Sequence, residues 1–239
     1  MRTHSKILDS FDVVQQIISA HSSISRFHVL DVPTPPLLQE RVQSNCVDQS
    51  AMGEALELKR HYGMSFWDAY FVAARQQTVH LDELFRAALM HDTSGSRLRA
   101  VDPQILPALR QLEDDVTPGK MLAISSLVEL RNGEIRHIPM LDLHYAASST
   151  NLRMTISAVN ALRPRSRGFL LQSGKSYHYY GFELLSSEEL VAFLASAILL
   201  GPIIDRRWVA HQLIEGACAL RIGSGHGYEN LPFVVAELS

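Results

Sequence analysis

The chain has 239 residues, 46% hydrophobic and 20% charged, a globular balance that excludes an intrinsically disordered or fibrous chain. Lysine and arginine number 22 against 25 acidic residues, a formal charge of -3. That excludes a histone-like basic coat but leaves room for a local basic groove.

In chain order, apolar residues from Ile7 to Ile18 recur at helical spacing and predict a helix over Ser5 to Ala20. Phe27 to Val32 reads as a short strand closed by Pro33, Pro35 and Pro36. Helices are expected over Asp48 to His61 and Ser65 to Gln77, with Gly63 ending the first and Ser65 capping the second. A further helix is expected over His80 to His91, and Asp102-Pro103 opens another. Met121 to Leu130 and Glu134 to Tyr145 read as strands joined at Asn132-Gly133, a hairpin signal. Ser148 to Leu162 is helical in pattern. Gly168 to Gln172 and Tyr177 to Leu185 are strand-like around Ser173-Gly174-Lys175-Ser176. Helices over Ser187 to Leu200, capped by Ser187, and from Asp205 to Gly216 follow, then short strands over Ala219 to Ile222 and Phe233 to Ala236. The expected organisation is α+β: a helical region over residues 1–118, then an α/β domain over 119–239 with a mostly antiparallel sheet.

Cys46 and Cys218 are the only cysteines, which excludes an all-cysteine zinc site and suits a reducing, cytoplasmic setting. Asp9 and Asp12 interrupt what a signal peptide would need as its apolar core. The most apolar run, Leu190 to Ile204, falls short of the roughly 20 residues that a membrane helix needs, so no membrane partner is expected.

Ser173-Gly174-Lys175-Ser176 invites a P-loop reading, but the upstream Gly168 is one residue too far and a strand rather than a helix follows. A turn between two strands instead places Lys175 and His178 near one mouth of a sheet, where both can donate to phosphate. Asp142 and His144 stand two apart on a strand, so they share a face and could converge on one divalent cation; a solvated edge strand is the alternative. Tyr177 and Tyr179 fall on one face of their strand, His178 and Tyr180 on the other, as core or as base-stacking aromatics. Arg163, Arg165 and Arg167, extended by Arg206 and Arg207, form the one local basic cluster, a candidate phosphate-tracking rim beside Lys175.

Taken in order, these pieces resemble the archaeo-eukaryotic primase (primase-polymerase) superfamily over roughly the last hundred residues. Leu141-Asp142-Leu143-His144 sits where that family carries Asp-x-Asp, Ser173-Gly-Lys-Ser-Tyr-His178 resembles its Ser-x-His motif, and Ile204-Asp205 its hydrophobic-Asp motif. Leu220-Arg221-Ile222 resembles the closing segment. The resemblance implies a nucleotidyltransferase-type protein handling nucleotide or single-stranded nucleic-acid phosphates with Mg2+ or Mn2+. It implies Asp142, His144 and Asp205 as metal-binding catalytic residues and Ser173, Lys175, His178 and Arg221 as phosphate contacts. His144 in place of the second carboxylate implies a reduced site with weak or absent polymerase activity. The alternative is a non-catalytic module binding nucleic acid or a protein partner, of the sort that reduced primase-like domains suggest in phage defence. Leu84 to Asp92 also resembles the His-Asp doublet of HD-type metal-dependent phosphohydrolases, through His91 and Asp92 with His61 upstream, a lesser alternative.

Overall fold

Asp9 starts the first helix. Its side chain accepts from the amides of Phe11 and Asp12 (3.0 and 3.2 Å), while Asp12 accepts from the Asp9 amide (3.2 Å). This reciprocal cap sets α1 at Ser10–Ala20 and turns Phe11, Val14, Ile17 and Ile18 inward. The structure, a computed structural model, describes residues 7–34, 49–75, 85, 89, 96–225 and 227–239. Strand β1 (Ile24–Pro33) follows and is longer than its apolar run suggests.

The chain divides into two units, one of Met1–Thr34 with Gly95–Ser239 and one of Pro35–Ser94. The second contains α2 (Gln49–Tyr62), ended by Gly63 at φ 63°, and α3 (Phe66–Ala74), where the Ser65 hydroxyl accepts from the Asp68 amide. Met52, Ala55, Ala69, Tyr70 and Ala73 form its own small core. The helix expected over His80 to His91 lies, apart from Phe85 and Leu89, outside the described residues.

In the first unit, β2 (Arg97–Val101) leads to Asp102, whose carboxylate caps the Gln104 amide. The helix it opens, Pro103–Glu113, winds as a 3-10 helix with Pro107 inside it, a residue without the amide an α-helical bond would need. Strand β3 (Lys120–Leu130) turns through Gly133 (φ 84°) into β4 (Ile135–His137). The single strand expected from Glu134 to Tyr145 is instead two. Pro139 lacks a ladder donor, and β5 (Met140–Leu143) begins after it in the other sheet.

Helix α4 (Ser149–Leu162), β6 (Gly168–Ser173) and β7 (Ser176–Gly181) follow. Helix α5 (Ser187–Ile198) is capped by Ser186 rather than Ser187, because Ser186 and Glu189 satisfy each other's amides. Asp205 caps α6 (Arg206–Glu215), and β8 (Ala219–Arg221) and β9 (Phe233–Leu238) close the chain.

One sheet runs β2-β1-β3-β4, with β8 also pairing β3, and the other β5-β7-β6-β9; every pairing between these strands is antiparallel. Phe27, Leu122, Ile124, Ile138, Met140, Leu141, Leu170 and Tyr179 fill a core shared by both sheets and α1. The boundary expected near Pro118-Gly119 falls inside this unit. Strand β1 lies at the centre of the first sheet, and Ser10 donates to Pro232 and Ile222 (2.8 and 2.6 Å), contacts that tie the N-terminal segment to the last strands. Among the described residues no helix is long and apolar enough to cross a membrane.

Candidate functional site

The β5–β7 register sets Asp142 directly opposite His178, so the two share a face. His178 Nε2 lies 3.7 Å from Asp142 Oδ1, beyond hydrogen-bond reach. His178 is buried, and among the described residues its Nδ1 has no partner. Tyr180 shares this face, its ring 6.5 Å from the imidazole, and among the described residues its buried hydroxyl likewise has none. Tyr177 points the other way and is structural: its hydroxyl donates to Ser148 O (2.9 Å) and accepts from Ser148 N (2.8 Å), which pins the start of α4.

Arg221 ends β8 and comes to this face from the first sheet. Its Nη1 donates to the carbonyls of Gly223 and Asn230 (3.0 and 3.1 Å), and its guanidinium stacks 4.8 Å from the centre of the Tyr228 ring. Among the described residues its buried Nε and Nη2 find no hydrogen-bond partner. The β6–β7 turn lies against it: a Cβ on Gly174 would stand 3.9 Å from Nη2 and 3.8 Å from Tyr228. Gly174 holds φ 66°, which a two-residue hairpin turn asks of glycine. Ser173 is buried at the strand end, whereas Lys175 is exposed at the tip.

The charges follow from burial. Asp142 is pushed up to about 8 by burial and then by neighbouring Asp205, against the pull of the Leu143 amide and Arg221. Burial, helped by Arg221, drives His178 down to about 3. Arg221 is lowered by burial but is held up by Tyr180, Tyr228 and Asp142, and a guanidinium stays protonated. Near neutral pH the half-buried Asp142 and the buried His178 and Arg221 therefore comprise a protonated acid, a neutral imidazole and a cation. That face suits an anion.

A metal centre is less well served. Among the described residues no three His, Cys, Asp or Glu side chains gather where they could hold a metal ion. Asp205 Oδ1 accepts from the amides of Arg207 and Trp208 (both 3.0 Å), and so caps α6. Its own amide donates to Asp142 O (3.1 Å), which makes it a neighbour of Asp142. Strand β5 stops at Leu143, so the alternation that would align His144 with Asp142 ends one residue early; the His144 amide donates instead to Ile203 O (2.8 Å). The set Asp142, His144 and Asp205 thus does not fit a divalent ion as it stands.

The arginine rim is also not where the sequence suggests. Arg163 to Arg167 precede Gly168, while Lys175 follows Ser173, so they stand at opposite ends of β6, roughly 20 Å apart at strand rise. Arg163 faces Glu183 (3.8 Å) and Arg167 covers the Phe182 ring (4.6 Å). His61 is exposed on α2 beside Tyr62, and His91 and Asp92 lie outside the described residues. The sequence leaves Tyr180 undecided between core and site and does not single out Tyr228. Tyr180 was within reach, since strand alternation puts it with His178; Tyr228 sits in an irregular segment with no periodic signal.

A family model described as AEP-like, archaeo-eukaryotic primase 1D-like, matches residues 107–231. No curated protein and no solved structure matches the chain. The matched span takes in the residues of this face, from Asp142 through Ser173 and His178 to Arg221 and Tyr228.

Proposed function

Because the chain belongs to the archaeo-eukaryotic primase-like family, we propose that it binds nucleotide or single-stranded nucleic-acid phosphates between the β6–β7 turn and Arg221, with little or no template-directed synthesis. The observation that carries this reading is the Nε and Nη2 edge of Arg221, buried and unpartnered beside Gly174. That edge is a planar fork whose spacing matches two oxygens of one phosphate. Buried donors left without partners cost roughly 1–3 kcal/mol each, and a phosphate would supply both acceptors.

Ser173 and His178 would flank the bound phosphate, and Lys175 at the exposed tip would meet phosphates that extend toward solvent. Asp142, neutral near pH 7, adds no repulsion to an incoming anion. Synthesis on two cations needs anionic oxygens shared between them, and the donors around Asp142 fall short of that set. Divalent ions would then arrive as counter-ions of the nucleotide rather than as a resident centre.

The test pairs ATP and oligothymidylate binding with primer extension in Mg2+ or Mn2+. The expected result is binding that Arg221→Lys and Arg221→Ala weaken, with extension at most weak and favoured by Mn2+. Robust Mg2+-dependent extension abolished by Asp142→Ala would overturn the reading of a reduced site, and unchanged binding in both Arg221 variants would overturn the phosphate site.

A further inference from the structure

The Nη1 of Arg221 is held by the Gly223 and Asn230 carbonyls, which leaves Nη2 toward the β6–β7 turn at Gly174. Both belong to the irregular segment between β8 and β9, which also carries Tyr228 on a short Gly225–Tyr228 turn (3.0 and 2.8 Å). The start of this segment is fixed from two sides. The amides of Ile222 and Gly223 both donate to Leu122 O (2.9 and 3.0 Å). On the other side Glu113, the last residue of the 3-10 helix, accepts at one oxygen from both the amide and the hydroxyl of Ser224 (2.5 and 2.7 Å). Gly223 permits this approach, because a Cβ there would sit 3.1 Å from that same oxygen and 3.1 Å from Leu122 Cβ.

We infer that Glu113 is a positioning residue for Arg221: by clamping Ser224 it holds the Gly223 carbonyl that orients the guanidinium fork toward the β6–β7 turn. The inference rests on the phosphate-site reading. Glu113 lies 111 positions from Ser224 in sequence, and the hydrogen bonds it makes among the described residues run to Ser224 rather than to Arg221, so its effect would pass through the segment it clamps. Bonds to an ionised acceptor are the stronger kind, and losing two of them frees the segment that fixes Nη1.

The experiment measures ATP affinity by titration calorimetry for the full chain and for Glu113→Ala, Glu113→Gln and Ser224→Ala, each alone and combined with Arg221→Lys. Glu113→Ala should weaken ATP binding roughly tenfold, the equivalent of one charge-assisted hydrogen bond. Glu113→Gln keeps an oxygen acceptor and should recover most of that loss. In the Arg221→Lys background, where no fork remains to be oriented, Glu113→Ala should add little.

An equal loss in both backgrounds would show a general structural role and overturn the inference. So would wild-type affinity in Glu113→Ala when Arg221→Lys is weakened. If Arg221→Lys itself binds as the wild type does, the phosphate-site reading falls first. Should Glu113→Ala fail to fold, Ser224→Ala removes one of the two clamp bonds and carries the same comparison.

Discussion

Replacing Arg221 by methionine should cost the unliganded protein at most about 4 kcal/mol while removing its response to nucleotide. The guanidinium makes two hydrogen bonds to carbonyls and stacks on Tyr228, together worth roughly 3–8 kcal/mol for a cationic donor and a desolvated ring contact. Against this stand its two buried donors without partners, which cost roughly 2–6 kcal/mol between them. The two sums nearly cancel, and methionine keeps an apolar stem in the same space. The buried Gly223 carbonyl loses its donor as well, at roughly 1–3 kcal/mol, so unliganded Arg221→Met should fall below the wild type by no more than about 4 kcal/mol. Nucleotide at a hundred times its Kd should stabilise the wild type by about 2.7 kcal/mol and the variant not at all. Urea denaturation with and without ATP reads both quantities. A loss above about 4 kcal/mol without ligand would make Arg221 a structural keystone, and undiminished stabilisation by ATP in the variant would place the ligand elsewhere.

The Asp142–His178 pair predicts a particular pH dependence. Asp142, raised from 3.8 to about 8, keeps a proton in the folded state that the unfolded chain has lost, so its contribution declines as pH rises through that window. His178, lowered from 6.5 to about 3, acts with the opposite sign below 6.5. The two oppose each other up to about pH 6.5, and between there and about pH 8 the fold should lose about 2 kcal/mol, with Asp205, Arg221 and Tyr180 facing Asp142 throughout. Asp142→Asn should abolish that decline in urea titrations across the range, and a decline persisting in the variant would exclude Asp142 as its source. Gly168→Ala should destabilise by about 3 kcal/mol, since its Cβ would lie 2.6 Å from the Tyr179 ring and 2.7 Å from the Tyr180 carbonyl; a urea midpoint equal to the wild type's would refute that packing. Lys175→Ala should flatten the salt dependence of oligothymidylate binding by roughly 0.7 in log–log slope, the loss of one phosphate contact, and an unchanged slope would remove Lys175 from the bound strand.

What the sequence shows most clearly is local chemistry. Ser65 and Asp102 each cap the helix that their side chains announce, and Gly133 and Gly174 turn the hairpins where they stand. Asp142 and His178 meet because each sits on a short strand and the antiparallel register does the rest. The break at Pro139 was also within reach, since proline lacks the amide that would continue a strand ladder. The pairing of β1 with β3 was not, because strand partners are set by packing among residues about a hundred positions apart. The same limit hides Glu113 and Tyr228, whose roles exist only once the segment after β8 folds over Arg221. The arginine cluster misleads for a simpler reason: closeness in sequence to Lys175 becomes the full length of β6 in space.

The most direct test of the phosphate site is a crystal structure of the protein with a non-hydrolysable nucleoside triphosphate. A phosphate group should accept from both Nε and Nη2 of Arg221, with the β6–β7 turn and His178 beside it. A triphosphate bound elsewhere, with those two nitrogens still lacking an acceptor, would contradict the phosphate site.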